Sequence, residues 1–499
     1  MASVYYNYIA SKWVGALSGE TFASYNPANG ELVGQVPQCG QADVERAAEG
    51  AAAAYRQWRL VPAPKRGEIL YRVARRLQQE KERLATLMTR EMGKVIAEAR
   101  GDVQEAIDMA YYMAGEGRRL LGYTAPVELP DKFGMAVREP IGVVACITPW
   151  NFPIAIPGWK ILPALVAGNT VIFKPASDTA VLGIEFVKIF DEEGLPPGVL
   201  SVVTGPGDAV GEALISHPAV KAVSFTGSTE AGRRVMALAA PGLKKVGLEL
   251  GGKNAILVLD DANLDLALDG IVWSAFGTSG QRCTACSRVI VQRGIYHELV
   301  ERLAARARGL KLGDGLLPAT EVGPVVNRRA LDRIEGYVGI GRQEGARLVA
   351  GGHVATEDGL DRGCFYAPTL FDEVRPDMRI AQEEIFGPVL SIIPVRDLAD
   401  AIEVNNATAY GLSSSIFTQD INAAFRALRD LSTGIVYINA GTIGAEIQFP
   451  FGGTRGTGNG HREAGQAGID AYTEWKAVYV DYSGRLQRAQ IDTDDLVRV

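Results

Sequence analysis

Residues 280–288, GQRCTACSR, place two cysteines, Cys283 and Cys286, three positions apart. Such a pair can be a redox couple, half of a zinc site, or one nucleophile beside a buried neighbour. Zinc needs four ligands, and the remaining cysteines and histidines are scattered without a second pair. A thioredoxin-type pair stands at a helix start, but here a strand-like segment, SRVIVQ, follows at once. The pattern favours a single nucleophilic thiol and no metal, with the redox couple as the alternative.

Two glycine-rich turns follow strand-like segments: GPGDAVG, from Gly205 to Gly211, and GSTEAG, from Gly227 to Gly232. Glycines let the backbone approach a pyrophosphate, and the N-terminus of the next helix offers free N–H donors. Two such turns predict dinucleotide binding. A third segment, GLELGGKN, is unlike a P-loop because Asn254 replaces the Ser or Thr that ligates Mg²⁺, which argues against nucleotide hydrolysis.

The surrounding elements predict an α/β fold. Residues 41–118 have apolar positions three and four apart and are expected to be helical. After residue 142, helical segments alternate with the strand-like runs GVVACITP, NTVIFKP, LSVVTG, KAVSFTG and VGLEL. This alternation predicts a parallel, doubly wound sheet that binds ligands at the carboxyl ends of its strands. A second α/β run, from about residue 254 to 440, predicts another domain with its own sheet.

Two further segments alternate apolar and polar residues: TEWKAVYVDYSG near the C-terminus and, more weakly, residues 127–139. Alternation of this kind predicts strands. They form either an exposed arm that pairs with another subunit or a solvated tail.

Composition narrows the class of protein. Of 499 residues, 47% are hydrophobic and 22% charged, as in soluble globular proteins, and the net charge is −7. No basic block suggests nucleic acid, and the longest apolar stretch is interrupted by Pro157, Lys160 and Pro163, so no membrane span is expected. The N-terminus does not resemble a signal peptide. Five irregularly spaced cysteines indicate a reduced, cytoplasmic protein.

Seven motifs together resemble the aldehyde dehydrogenase superfamily, in its order and over nearly the whole chain. They are ITPWNFP (147–153), KPAS (174–177), FTGST (225–229), LELGGKN (248–254), GQRCTA (280–285), EEIFGPV (383–389) and PFGG (450–453). The resemblance implies a Rossmann-type coenzyme domain (1–122 and 142–252), an α/β catalytic domain (253–450) and a small β oligomerisation element (123–141 and 467–499). It also implies a homo-oligomer, either a dimer or a tetramer.

The resemblance assigns roles to individual residues. Cys283 would be the nucleophile, Glu249 the general base and Asn151 the oxyanion donor, with Glu463 a secondary relay or structural group. NAD or NADP would be the cofactor. Its predicted contacts are Ile147, Trp150, Lys174, Ser177, Gly207, Gly211, Phe225, Gly227, Ser228, Gly232, Glu384 and Phe386. Taken singly, Glu249 could instead be a salt-bridged structural residue and Asn151 a helix cap.

These roles imply oxidation of a small-molecule aldehyde to a carboxylic acid through a thiohemiacetal and a thioester on Cys283. Glu249 favours the hydrolytic branch, since the CoA-acylating branch typically lacks this glutamate. NAD-selective members place a carboxylate three residues after the lysine of the KPAS-like motif, where this chain has Ser177. We therefore expect NADP to be accepted as well as NAD.

The substrate prediction depends on two features. The loop TIGAEIQFPFGG resembles branches that oxidise carboxylated semialdehydes, such as those of 2-oxoglutarate and 2-aminoadipate. Arg282, beside the nucleophile, would pair with the distal carboxylate unless it is a structural ion-pair partner facing away. Two other classes remain as alternatives: a thiol-disulfide oxidoreductase using Cys283 and Cys286, and a non-catalytic member of the fold. In a milder form, Cys286 would protect Cys283 from over-oxidation by forming a disulfide.

Overall fold

A computed structural model describes residues 3–491, and the first part of the chain is mainly helical. In α2, apolar residues three and four apart are buried, and this face packs along α3. α2 ends at Gly93, whose φ of 87° is a left-handed conformation that glycine adopts without strain. The elements are β1 (Asn7–Ile9), β2 (Lys12–Val14), β3 (Thr21–Tyr25), β4 (Leu32–Pro37), α1 (Gln41–Trp58), α2 (Ala63–Met92), α3 (Ile96–Glu116), β5 (Tyr123–Ala125) and β6 (Lys132–Pro140).

The next part of the chain forms a five-stranded, wholly parallel sheet in the order β11-β10-β7-β8-β9. Its central strands are buried on both faces, which explains their continuous apolar, β-branched sequences. The doubly wound sheet predicted from the sequence is therefore confirmed. Its elements are β7 (Val143–Ile147), α4 (Ala155–Ala167), β8 (Thr170–Lys174), α5 (Ala180–Glu192), β9 (Leu200–Val202), α6 (Glu212–Ser216), β10 (Val220–Thr226), α7 (Thr229–Ala239) and β11 (Lys245–Glu249).

A seven-stranded sheet follows, in the order β14-β15-β16-β13-β12-β17-β18. All its neighbours are parallel except the edge pair β14 and β15. The elements are β12 (Asn254–Val258), α8 (Leu264–Phe276), β13 (Cys286–Gln292), α9 (Tyr296–Gly309), α10 (Arg328–Gln343), β14 (Arg347–Ala350), β15 (Thr369–Asp372), α11 (Arg379–Gln382), β16 (Val389–Val395), α12 (Leu398–Asn406), β17 (Ser413–Phe417), α13 (Ile421–Asp430) and β18 (Ile435–Ile438).

The chain then returns through α14 (Gly465–Ala471) to β19 (Thr473–Asp481), which pairs antiparallel with β6 along its whole length. With β5 these strands make a third sheet, in which β19 is an edge. Aromatic residues on it are exposed, among them Trp475 at 52% and Tyr479 at 68%. The strands lie within the ranges predicted for the oligomerisation element, whose last residues, 492–499, are outside the described residues. The domain boundaries themselves remain a prediction.

Candidate active site

Cys283 lies in a tight loop between α8 and β13. Thr278, Ser279 and Gly280 all have positive φ, and a Cβ on Gly280 would lie 2.2 Å from the carbonyl oxygen of Gly387. The buried Glu98 holds the loop by accepting from the backbone N–H of Thr278 at 2.9 Å. These contacts restrict the conformation of the loop backbone and thereby fix the position of Cys283.

The two thiols have different surroundings. Cys283 is partly accessible and lines a cavity of about 120 Å³. Cys286 begins β13, is buried, and its Sγ donates to the carbonyl oxygen of Arg288 at 3.3 Å. A thiol bonded into the sheet is poorly placed for exchange with its neighbour, which disfavours the redox couple.

Burial raises the pKa of the Cys283 thiol to about 12, with further contributions from the negative charges of Glu384 and Glu249. Backbone N–H groups of Thr284 and of Cys283 itself act in the opposite direction. The resting group is therefore a thiol, so it needs a nearby base to react at neutral pH.

Glu249 ends β11 and lines the same cavity as Cys283. Both of its carboxyl oxygens are buried, and neither has a hydrogen-bond partner among the residues described. Burial, followed by the negative charge of Glu463, raises the pKa of Glu249 well above its ordinary value. Gly452 leaves room for this carboxyl, because a Cβ there would lie 2.6 Å from Oε1. The absence of an ion pair argues against a structural salt bridge and fits a proton acceptor for water.

Glu463 also lines the cavity but is fully paired. It forms a buried ion pair with Lys160 of α4, and its Oε1 accepts from the hydroxyl of Ser224 at 3.3 Å. Burial alone would raise its pKa, but Lys160, and after it His461, reverse this and lower the pKa of Glu463 to about 2. The pKa values of these two adjacent carboxyl groups are therefore moved in opposite directions, that of Glu249 upward and that of Glu463 downward.

Asn151 follows β7 and is buried against the cysteine loop. Its side-chain amide donates to the carbonyl oxygen of Gln281, two residues before the cysteine, at 3.1 Å. The amide has a second N–H, which is the type of group that stabilises an alkoxide. Asn151 makes no side-chain capping bond at the start of α4, so the simple helix-cap interpretation is not supported.

Arg282 lines the cavity beside Cys283 and is also an ion-pair partner. Its Nη2 lies 3.0 Å from Glu98 Oε1, and its Nε donates to the hydroxyl of Thr278 at 2.9 Å. The guanidinium lies over the rings of Phe152 and Trp273, each 5.3 Å from its central carbon. Arg282 is thus an ion-pair partner that also lines the cavity, and its role as a substrate anchor stays a prediction.

Two of the predicted cofactor contacts, Lys174 and Ser177, lie at or just after the carboxyl end of β8. Lys174 is buried, and among the described residues its Nζ donates only to the carbonyl oxygen of Pro175; burial lowers its pKa to about 8. Ser177 donates to the carbonyl oxygen of Gly205 at 3.3 Å. A Cβ on Gly211 would touch the Lys174 side chain at 3.7 Å, while Gly207 faces open space. A buried ammonium group with so little internal bonding fits the hydroxyls of a ribose.

The second glycine turn opens α7. Ser228 is the N-cap and accepts from the N–H of Ala231 at 3.2 Å. Gly232 packs against Leu250, and Gly227 against the ring of Phe225, with no space for a Cβ at either. Ile147 is buried under this edge of the sheet. These residues form a close-packed helix start with free N–H groups, the form that suits a pyrophosphate.

Glu384, Trp150 and Phe386 lie nearer to the cysteine. Glu384 accepts from the N–H of Gly252 at 2.9 Å, and burial raises its pKa. The rings of Trp150 and Phe386 meet edge to face with centroids 5.5 Å apart. A Cβ on Gly252 would lie 2.5 Å from the carbonyl oxygen of Cys283, so this cluster adjoins the nucleophile loop. The arrangement fits the nicotinamide end of a dinucleotide.

Sequence reasoning did not identify several residues of the site: Lys160, Glu98, Glu105 and Tyr437. Only Lys160 had a usable signal, since a lysine inside an apolar helix must find a buried partner. Among residues 3–491, no group of three or more His, Cys, Asp or Glu side chains is arranged to hold a metal ion. Within the same residues, no helix is both long and apolar enough to cross a membrane.

Comparison with known proteins agrees with this geometry. The model of the aldehyde dehydrogenase family matches residues 13–478. An alpha-ketoglutaric semialdehyde dehydrogenase of Bacillus subtilis is 42% identical over 96% of this chain and 98% of its own. The Haloferax volcanii alpha-ketoglutarate semialdehyde dehydrogenase is 44% identical over 95% and 99%. A 3-sulfolactaldehyde dehydrogenase of Pseudomonas putida is 40% identical over 94% and 96%.

A crystal structure of betaine aldehyde dehydrogenase from Staphylococcus aureus, in complex with NAD+, superimposes with a TM-score of 0.95. It is 34% identical and covers 97% of this chain and 96% of its own. Fold and site thus define an oxidoreductase that acts on aldehydes with NAD or NADP. The chain belongs to the aldehyde dehydrogenase family.

Proposed function

We propose that this enzyme oxidises a semialdehyde with an acidic group at its far end, releasing the acid by hydrolysis of an acyl group on Cys283. The observation that carries the proposal is the unpartnered, buried carboxyl of Glu249 in the cavity that Cys283 lines. The relatives support the substrate class, since two are named for the semialdehyde of a keto diacid and one for a sulfonated aldehyde.

In this proposal Cys283 attacks the aldehyde carbon, and its thiol proton passes to a nearby base. The carbonyl oxygen becomes an alkoxide, which the free N–H of Asn151 and the backbone N–H of Cys283 stabilise away from bulk water. Lys174, Ser177, the two glycine turns and Glu384 would hold NAD or NADP. When bound, that cofactor would supply a hydride acceptor, and loss of hydride from the carbon attached to Cys283 would leave an acyl group on the sulfur.

Glu249 then takes a proton from water, and the resulting hydroxide attacks the acyl carbon. The sulfur leaves with a proton, and the product is a carboxylate. Glu463 is ionised by Lys160, so its negative charge disfavours ionisation of Glu249 at rest and makes that carboxylate the stronger base. This arrangement supports hydrolysis rather than transfer to another thiol.

Arg282 would orient the acidic end of the substrate. Its Nη2 stays with Glu98, and the remaining edge of the guanidinium can donate to a carboxylate. Replacement of Arg282 by Ala should raise the KM for an acidic semialdehyde about tenfold. Arg282→Lys is the matched variant, because it preserves a charge for Glu98. An unchanged KM in Arg282→Ala would exclude the anchor.

We also propose that the enzyme is a homo-oligomer, a dimer or a tetramer, that works in the cytoplasm. The exposed aromatic edge of β19 supports association, because an open apolar edge strand is normally covered. All five cysteines are free thiols, which fits a reducing compartment. Light scattering of the purified protein would test the first point.

The test of the function is an aldehyde panel with NAD and with NADP, followed by the absorbance of the reduced nicotinamide. We expect acidic semialdehydes to have the highest kcat/KM, and Cys283→Ala to be inactive with all of them. Preference for uncharged or cationic aldehydes would overturn the substrate class. Strict dependence on CoA would overturn hydrolysis.

A further inference from the structure

Helix α3 presents three acidic residues toward the active site: Glu98, Asp102 and Glu105. Their spacing of four and then three residues places them on one face of the helix. The first two are fully engaged. Glu98 pairs with Arg282 and with the cysteine loop, while Asp102 pairs with the buried Lys94 at 2.7 Å and accepts from the N–H of Ala155.

Glu105, the third acid, differs from the others. It lines the same cavity as Cys283, Glu249 and Arg282, and it is partly buried. Its carboxyl makes no hydrogen bond or ion pair within residues 3–491. A carboxyl that faces a substrate cavity without an internal partner is available to a ligand.

A second unpaired polar group lies close by. The hydroxyl of Tyr437, on β18, is buried and has no hydrogen-bond partner in the described part of the chain. The pKa of this hydroxyl is raised to about 12, chiefly by burial and then by the negative charges of Cys283, Glu446 and Glu105. Among the residues that line the cavity, Arg282 and Glu105 are therefore polar groups that a substrate can satisfy.

Building on the proposed function, we propose that Glu105 is a specificity-determining residue that, as a neutral carboxylic acid, donates a hydrogen bond to the acidic end of the semialdehyde. Arg282 supplies the positive charge on the same end. The charge of Arg282 is already balanced by Glu98, so an ionised Glu105 would make the cavity net negative and repel an anionic substrate.

The groups around Glu105 support its neutral form. The pKa of Glu105 is raised to about 8, chiefly by burial and then by Asp102, against the opposing charges of Lys94 and Arg282, with a smaller upward contribution from Asp108. From β18, Tyr437 interacts electrostatically with Glu105 and is uncharged at neutral pH, since its pKa is raised to about 12, chiefly by burial. Because the pKa is raised above its ordinary value, the hydrogen bond is available below about pH 8 and is replaced by repulsion above it.

The experiment compares kcat/KM for 5-oxopentanoate with kcat/KM for pentanal between pH 6.5 and 9.5. The ratio cancels the pH dependence of the chemistry that both aldehydes share. In the wild-type enzyme the ratio should fall about tenfold as the pH rises through 8. In Glu105→Gln, which keeps a donor but cannot ionise, the ratio should stay flat and remain within about threefold of the wild-type value at pH 7.

Asp108→Asn is the matched control. It removes an exposed acid one turn along α3 and outside the cavity, so the fall in the ratio should persist, with its midpoint moved slightly to lower pH because Asp108 contributes to the raised pKa of Glu105. A Glu105→Gln enzyme that keeps the wild-type fall would overturn the proposal. So would a large gain in the ratio at pH 7, since that result means the resting residue is an anion.

The two levels of proposal fail in different ways. If the wild-type enzyme prefers pentanal at every pH, the proposed substrate class is wrong. If it prefers 5-oxopentanoate but Glu105→Gln changes nothing, only the role of Glu105 is wrong.

Discussion

The residues proposed to hold the cofactor (the cofactor side) and those proposed to meet the aldehyde (the aldehyde side) come from different kinds of structural element. The cofactor side consists mainly of strand ends and helix starts of the five-stranded sheet, with glycines pressed against their neighbours. The aldehyde side consists of charged side chains from distant segments, mostly joined in pairs: Lys160 with Glu463, and Arg282 with Glu98.

This difference shows where the chemistry can take place. On the cofactor side, the backbone itself forms much of the binding surface, so one side chain has a moderate effect. On the aldehyde side, a buried charge without a partner is costly, and the structure pairs most of them. The unpaired carboxyls, Glu249 and Glu105, are the groups that can meet water or substrate.

Removing the base should have the largest effect. We expect Glu249→Gln to lower kcat by about 100- to 10,000-fold, because the acyl group can form but not be hydrolysed. Rapid mixing should show about one equivalent of reduced nicotinamide per site, followed by a very slow phase. Glu446→Gln, at an exposed position that does not line the cavity, is the control. A variant with normal turnover would exclude Glu249 as the base.

The pH dependence of kcat is a second test of Glu249 as the base. The pKa of Glu249 is raised, so its basic form becomes populated only as the pH rises above the ordinary carboxyl range. Steady-state kcat limited by hydrolysis should therefore increase with pH at values above the ordinary carboxyl range, and Glu249→Gln should lose this increase. A rise that survives in the variant would point to another group.

Breaking a charge pair on the aldehyde side should cost stability. In Lys160→Met, Glu463 is left buried without its cation, and we expect the free energy of unfolding to fall by about 3–5 kcal/mol. Lys188→Met, whose partner Glu192 is on the surface, should cost less than about 1 kcal/mol. Urea titration measures both, and equal losses would contradict the difference between buried and surface pairs.

A substitution on the cofactor side should alter the preference between NAD and NADP rather than kcat. We expect Ser177→Glu to lower kcat/KM with NADP about tenfold relative to NAD, because the new carboxylate repels a 2′-phosphate. Ser177→Ala should leave the ratio within about twofold. A wild-type enzyme that already rejects NADP would contradict the role assigned to Ser177.

The smallest effect should come from the second thiol. Cys286→Ala should keep kcat within about twofold, since Cys286 is a small buried residue whose sulfur bonds to the sheet. A decrease in kcat of more than 100-fold would instead support a redox couple of Cys283 and Cys286. Exposure of the same variant to peroxide tests whether Cys286 protects Cys283 from over-oxidation. If it does, the variant should be inactivated irreversibly faster than the wild type.

The difference between the cofactor side and the aldehyde side also explains which parts of the fold and site could be predicted from the sequence. Strands such as β7 and β8, and the positions of Cys283 and Glu249 at element ends, depend on local pattern and contiguous motifs. The pairs of the aldehyde side join residues 303 positions apart (Lys160 and Glu463) and 184 apart (Glu98 and Arg282), and no local pattern indicates such partners. For this reason the sequence leaves open whether Arg282 is a free anchor or a structural partner; the structure pairs it with Glu98 at the cavity, and the anchor role stays a prediction.

The central claim concerns the sulfur of Cys283, and trapping the acyl-enzyme tests it most directly. Glu249→Gln enzyme is incubated with NAD and an acidic semialdehyde, quenched in acid, digested and analysed by mass spectrometry. The account predicts the acyl mass on the peptide that contains Cys283 and Cys286, with fragmentation assigning it to Cys283, and none in a Cys283→Ala background. An acyl group on any other residue, or none while reduced nicotinamide is formed, would contradict it.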